Sequence, residues 1–198
     1  FNSSFRFRLI ASFSGIPKIF QYPLFQKTSQ HITNTPKKFI KNKFNLEVHE
    51  DSEVQIDNMS ISNLVKKFNI NRNETNILLG VGGSGPTKRI PSKIFLEVIK
   101  KISEIKKCKF FLATGKNNDE QILLNEILQS KFKNLCVRLD NLSIKEILPI
   151  IKSCDISICN DTSFSHLSAA LGVKTITLMA DTPLIYGNYN SKMFPIIP

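Results

Sequence analysis

From residue 76 to residue 179, short apolar runs of strand length alternate with amphipathic stretches of helix length, and the links between them are brief. Strands joined through helices run parallel, and a parallel sheet hides both of its faces under helices. The rhythm therefore predicts an α/β domain with a doubly wound parallel sheet.

NILLGV (76–81), KFFLAT (109–114), CVRL (136–139), DISIC (155–159) and VKTITLM (173–179) read as the strands. Between the first two, residues 92–106 place Ile94, Phe95, Val98, Ile99, Ile102 and Ile105 on one helical face, with lysines opposite. Residues 117–132 open with acids and carry Ile122, Leu123, Ile127 and Leu128 on one side. Residues 143–154 form a helix with Ser143 as N-cap, Glu146 completing a capping box, and a kink at Pro149. A short helix over 163–171 is stopped by Gly172.

The first strand runs into Gly80-Val81-Gly82-Gly83-Ser84-Gly85, which matches the G-x-G-x-x-G dinucleotide fingerprint. That fingerprint needs a helix to begin within the glycines. Here Pro86 and Pro91 follow, and helical periodicity begins only near Ser92. A P-loop fails as well, because Pro86 stands where its lysine belongs and Lys88 comes two residues late. A long connection remains, offering backbone N–H groups, the Ser84 and Thr87 hydroxyls, and Lys88-Arg89 to an anion. The bland alternative is a surface turn with solvated cations.

The fourth strand leads straight into Asn160-Asp161-Thr162-Ser163-Phe164-Ser165-His166. In a parallel sheet this turn lies on the same carboxyl edge as the glycine loop. The first amides of the helix that follows are orphan donors at a positive dipole end. Asp161 or Thr162 as N-cap accounts for one oxygen-bearing side chain, worth about 1 kcal/mol. It does not account for Asp, Thr, Ser and His within six positions. His166 alone would read as a structural histidine; one turn past Asp161, it can share the same mouth.

Residues 1–75 carry weak strand signals. A helix ending at Gly15, helices over 35–44 and 60–68, and a polar connection over 47–58 are expected, with a domain boundary near residue 50. The chain starts without Met and ends in FPIIP with no closing element in the pattern, so a fragment cut at both ends is expected. Cys108, Cys136, Cys154 and Cys159 include no CxxC pair and no histidine at metal spacing, which points to buried thiols in a reducing compartment. The net charge of +11 is uneven: residues 1–46 hold eight Lys and Arg and no acid. Such a front suits a phosphorylated substrate or an anionic membrane surface; no aromatic-interleaved motif supports nucleic acid.

G-x-S-x-x-x-K-x-x-P after a strand, then D-T-x-x-x-H-L-x-A-A-L-G some 75 residues later, resembles the lipopolysaccharide heptosyltransferases of glycosyltransferase family 9. The tract LDNLSIKEILPIIKSCDISICNDT and the front LIASFSGIPKIFQY fit the same family. The resemblance implies a GT-B architecture: residues 1–50 as the end of an N-terminal, acceptor-side Rossmann-like domain, and residues 51–198 as the nucleotide-sugar-binding domain, truncated at its C-terminus. It implies inverting transfer of a heptose from a donor such as ADP-heptose to a phosphorylated, lipid-linked saccharide, without a metal or other cofactor. The setting it implies is the cytoplasm, peripheral to the bacterial inner membrane.

Carried over, Lys88 and Ser84, with Thr87 beside them, hold the donor phosphates. Asp161 takes heptose hydroxyls, the Thr162 and Ser163 amides lie near the diphosphate, and His166 stands alongside. Leu142 packs on the base and Glu120 serves the ribose. The general base is expected in the first domain, upstream of these residues. Ser163 replaces a usual glycine and Ile90 a usual aromatic. A nucleotide-binding module without transfer activity, or an NAD-binding Rossmann domain, are the alternatives.

Overall fold

The computed structural model describes residues 4–21, 33–48, 51–187 and 190–197. His31, His49 and Pro198 lie outside them. The chain divides into two compact units, Phe1–Glu50 and Asp51–Pro198. The first contributes helices α1 (Phe5–Phe13) and α2 (Asn34–Phe44). Gly15, just beyond α1, takes the left-handed φ of 74° that lets a chain leave a helix.

The second unit opens with α3 (Asn58–Lys67) and then alternates: β1 (Thr75–Gly80), α4 (Ser92–Ile105), β2 (Cys108–Ala113), α5 (Asn118–Leu128), β3 (Cys136–Arg138), α6 (Ile144–Lys152), β4 (Ile156–Asn160), α7 (Ser163–Ala170), β5 (Lys174–Leu178), α8 (Leu184–Gly187) and β6 (Met193–Ile196). The sheet order is β3-β2-β1-β4-β5-β6 and every pair is parallel. This is the order of doubly wound nucleotide-binding sheets, whose ligands sit where the winding reverses. Here the reversal falls between β1 and β4.

Alternation along each strand feeds two cores. Leu78, Phe111 and Ala113 face α3, α6 and α7, packing with Ile147, Ile150 and Phe164. Ile77, Leu79, Phe110 and Leu112 face α4 and α5, packing with Phe95, Ile99, Leu124 and Ile127. The connection over 51–57 closes the first core with Val54 and Ile56, and the Val54 amide donates to the Ala170 carbonyl at 2.8 Å.

Several expectations are corrected. Residues 193–196, read as lacking a closing element, form the sixth strand; Pro195 is tolerated there because β6 is an edge. Helix α5 stops at Leu128 rather than 132, since the Ser130 hydroxyl takes the Ile127 carbonyl at 2.7 Å. Its buried face runs through Glu120, Leu124 and Ile127, leaving Ile122 exposed. On α4, Ile94 and Ile105 are exposed and the core takes Phe95 and Ile99. Helix α6 carries the expected capping box and runs through Pro149 to Lys152.

Cys108, Cys154 and Cys159 are buried, Cys136 is half-buried, and all four are free thiols. Burial pushes Cys136 and Cys159 up to about 12, which makes them inert apolar packing at neutral pH.

Candidate functional site

The loops after β1 and β4 meet at the reversal point. Gly80 ends β1 so close to β4 that a Cβ there would lie 2.7 Å from the Cys159 sulfur. Beyond it the chain folds over the sheet edge, with a single 3₁₀ turn over Pro86–Lys88 before α4 starts at Ser92. No helix begins within the glycines, so the pyrophosphate geometry of the dinucleotide fingerprint is not formed here.

Glu120 fixes the inside of this loop. Its Oε1 accepts from the Gly83 amide at 2.7 Å, and Oε2 accepts from the Asn117 side-chain amide. Asn117 in turn caps α5 by accepting from the Glu120 amide at 2.9 Å. The carboxylate lies against Gly82 and Gly115, where added Cβ atoms would come within 2.3 and 2.2 Å of its oxygens. Gly82 and Gly115 thus make room for a buried acid.

Arg89 braces the outer side, its Nη1 2.6 Å from Asp119 and its Nε donating to the Gly85 carbonyl at 3.3 Å. Asn160, wholly buried at the end of β4, ties β4 to the same loop through the carbonyls of Val81 and Gly82.

The charged centre is Asp161. Lys88 Nζ lies 2.7 Å from its Oδ2, and the Thr182 hydroxyl donates to the same oxygen at 2.5 Å. His166 Nε2 is 3.7 Å from the other oxygen, Oδ1. Burial pushes the Asp161 carboxyl up, but the hydrogen bonds from Lys88 and Thr182 and the nearby positive charge outweigh it and hold the group below its ordinary value. His166 moves the other way. Burial lowers its pKa, Lys88 adds to the effect, and the attraction of Asp161 only partly opposes it. At neutral pH the start of α7 therefore brings together an ionised carboxylate and a neutral imidazole, with Lys88 reaching in from the β1 loop.

Neither expected N-cap caps α7. Thr162 occupies the position, but its side chain makes no cap hydrogen bond, and Asp161 is engaged by Lys88. The first-turn amides are left without a side-chain acceptor, facing the sheet edge. Ser163 opens the helix. The left-handed non-glycine residues among those described are Asn45 and Asn69, so its Cβ strains nothing.

A cavity of about 710 Å³ adjoins this centre. Ser84, Glu120, Leu142, Thr162 and Ser163 line it, together with Asp140, Ile144 and Ile147. Thr87, Lys88, Asp161 and His166 are not among its lining residues and form the charged cluster beside it. Asp140 was not expected. It is buried and held by Arg138 through two hydrogen bonds of 2.8 and 2.7 Å, which keep its carboxyl below the usual range. Thr182 and Asp181 were missed too, the latter accepting from the Thr87 hydroxyl at 2.7 Å.

The family model described as Glycosyltransferase family 9 (heptosyltransferase) matches residues 21–193 and so covers both the glycine loop and the Asp161 turn. The chain belongs to glycosyltransferase family 9. Among family 9 relatives, lipopolysaccharide heptosyltransferase 1 of Campylobacter coli is 30% identical over 141 residues, covering 68% of this chain and 40% of that protein. Lipooligosaccharide heptosyltransferase 2 of Campylobacter jejuni is 34% identical over 134 residues, covering 62% and 40%. The chain thus spans about two fifths of the length of these curated relatives.

Solved family 9 structures share the fold. A glycosyl transferase family 9 protein from Veillonella parvula gives a TM-score of 0.74 at 13% identity, over 87% of this chain and 50% of that one. The E. coli heptosyltransferase WaaC with ADP gives 0.66 at 16%, over 86% and 51%. The parallel sheet described above is therefore the α/β fold of the GT-B heptosyltransferases.

Proposed function

We propose that this chain forms the donor-binding part of a transferase that moves a heptose from ADP-heptose to a lipopolysaccharide core acceptor with inversion. The observation that carries the reading is the Lys88–Asp161 pair at the uncapped start of α7, beside a nucleotide-sized cavity at the sheet's reversal point. Family membership and the names of the curated relatives support it.

The site divides by chemistry. Leu142, Ile144 and Ile147 give an apolar wall for a base. The Thr162 and Ser163 amides, the Ser84 hydroxyl and Lys88 take the diphosphate. Asp161 Oδ1, the oxygen not used by Lys88 and Thr182, accepts from sugar hydroxyls beside His166.

Inversion needs one displacement. An acceptor oxygen forms the new bond at the anomeric carbon as the bond to the diphosphate breaks. The electron pair leaves with the nucleoside diphosphate, and the acceptor proton passes to a base. Lys88 and the α7 amides stabilise the charge that grows on the leaving group, at roughly 3–4 kcal/mol for a well-placed donor. In this reading they do so without a metal ion. The resemblance assigns the base to an acid in the preceding domain, and no residue of this chain is given that part.

Calorimetric titration with ADP, UDP and NAD tests the donor. ADP bound most tightly, and weakened by Lys88→Ala, supports the reading. UDP or NAD bound most tightly overturns the heptose donor.

The acid-free front adds a partner. Lys37, Lys38, Lys41 and Lys43 lie on or at the end of α2, and we assign them the attraction of a phosphorylated lipid-linked acceptor and of an anionic membrane at the cytoplasmic face. No described helix is long and apolar enough to cross a membrane. Neutralising the four lysines is expected to weaken cosedimentation with vesicles containing phosphatidylglycerol; unchanged binding removes the assignment.

A further inference from the structure

Three loops of the sheet edge are joined in a closed ring. The Thr87 hydroxyl donates to Asp181 Oδ2 at 2.7 Å. Asp181 is followed in the chain by Thr182, whose hydroxyl donates to Asp161 Oδ2 at 2.5 Å. Lys88 Nζ meets that same oxygen at 2.7 Å, and Lys88 follows Thr87 in the chain. The ring thus runs from the β1 loop to the β5 loop, to the β4 loop and back, two links being peptide bonds and three hydrogen bonds.

We propose that Thr182 is a positioning residue for the donor sugar, and that Asp181 supports it by holding the Thr87–Lys88 turn. This rests on the donor reading above. A carboxylate on an aspartate can swing about its terminal torsion, which has broad wells. With Thr182 and Lys88 both on Oδ2, that torsion is fixed and Oδ1 is the oxygen presented to a ligand. Lys88 alone cannot do this, because its long stem follows the carboxylate wherever it turns. The threonine hydroxyl sits on a short, β-branched side chain with few rotamers, so it works as a fixed peg.

The two outer links differ in weight. The Thr182–Asp161 bond is partly buried and reaches an ionised group, the kind that counts for most. The Thr87–Asp181 bond is exposed and contributes less. Asp161 and Lys88 both act on the His166 imidazole, so its titration reports on this carboxylate.

The test compares Thr182→Val, which keeps the shape and removes the hydroxyl, with Thr182→Ser, which keeps the hydroxyl. His166 is followed by NMR titration, its signal assigned with His166→Gln. Affinities for ADP and ADP-heptose are measured on the same proteins.

In Thr182→Val, loss of the hydroxyl leaves more of the Asp161 charge uncompensated, so the His166 midpoint rises. ADP-heptose affinity falls about tenfold, the scale of one charge-assisted bond, while ADP affinity changes little. Thr182→Ser restores both values, and Asp181→Ala moves them in the Val direction by less. An unmoved His166 midpoint overturns the ring, as does an equal shift in the Val and Ser variants. The midpoint is read whether or not a nucleotide binds. Failure of the ring and failure of the donor reading therefore separate.

Discussion

Asn160 donates its side-chain amide to the Val81 carbonyl at 3.0 Å and the Gly82 carbonyl at 3.1 Å, bridging the ends of β4 and β1 where the sheet reverses direction. The residue is fully buried, so its loss leaves two carbonyls in the interior without this donor. Asn160→Ala is expected to lower stability by about 1–3 kcal/mol. Urea denaturation checks this, with a lowered midpoint and an unchanged slope as the result.

Lys88 and Asp161 are not equivalent partners. Lys88→Ala strands a largely buried carboxylate, whereas Asp161→Ala frees a lysine that can reach solvent. Lys88→Ala is therefore the more destabilising change. It also weakens ADP binding by roughly tenfold or more, the cost of one charge-assisted bond to phosphate. Asp161→Ala affects the sugar-bearing donor more than ADP. Parallel melting curves and titrations of the two variants check both statements.

His166 gives stability a pH dependence. Its pKa in the fold is lowered from 6.5, first by burial. Between that lowered value and 6.5 the unfolded chain binds more protons than the folded one. Stability therefore rises with pH across this window and levels off above it. Asp161 acts lower: its depressed pKa gives stability present above the ordinary value of 3.8 and lost as pH falls through the folded one. Urea midpoints between about pH 5 and about pH 7.5 should climb in the parent and climb less in His166→Gln.

Gly82 and Glu120 exclude one another's alternatives. A Cβ on Gly82 would meet Glu120 Oε1 at 2.3 Å and Thr114 Oγ1 at 2.9 Å. Gly82→Ala is expected to cost about 1–3 kcal/mol by overpacking and to displace the carboxylate from the Gly83 amide. Adding Glu120→Ala should recover part of that loss, so the two effects fall short of additivity. A double-mutant cycle read by thermal melting decides it.

Much of this was legible in the sequence because the signals are local. The strands from β1 to β5, the capping box at Ser143 and Glu146, and the stop at Gly172 each depend on neighbours a few residues away. The glycine loop and the Asp161 turn were legible for the same reason, and the parallel topology brought them to one edge. What was not legible depends on distant partners. Thr182 finds Asp161 from 21 residues away, and Asp181 finds Thr87 across 94. Residues 193–196 lack alternation and contain a proline, so only pairing with β5 makes them a strand. Glu120 reads as a helix-start acid, and only the folded loop shows it buried against two glycines.

The same β6 limits how this sheet meets other molecules. Carbonyls of Lys192 and Ile196 point toward β5, accepting from Thr175 and Met179, so Pro195 directs its nitrogen to the open side. A strand approaching there finds no donor at that position. At the opposite margin, β3 is only three residues long. Neither flank is a long template for another chain's backbone. At the concentrations calorimetry needs, this sheet is thus guarded against edge-to-edge aggregation.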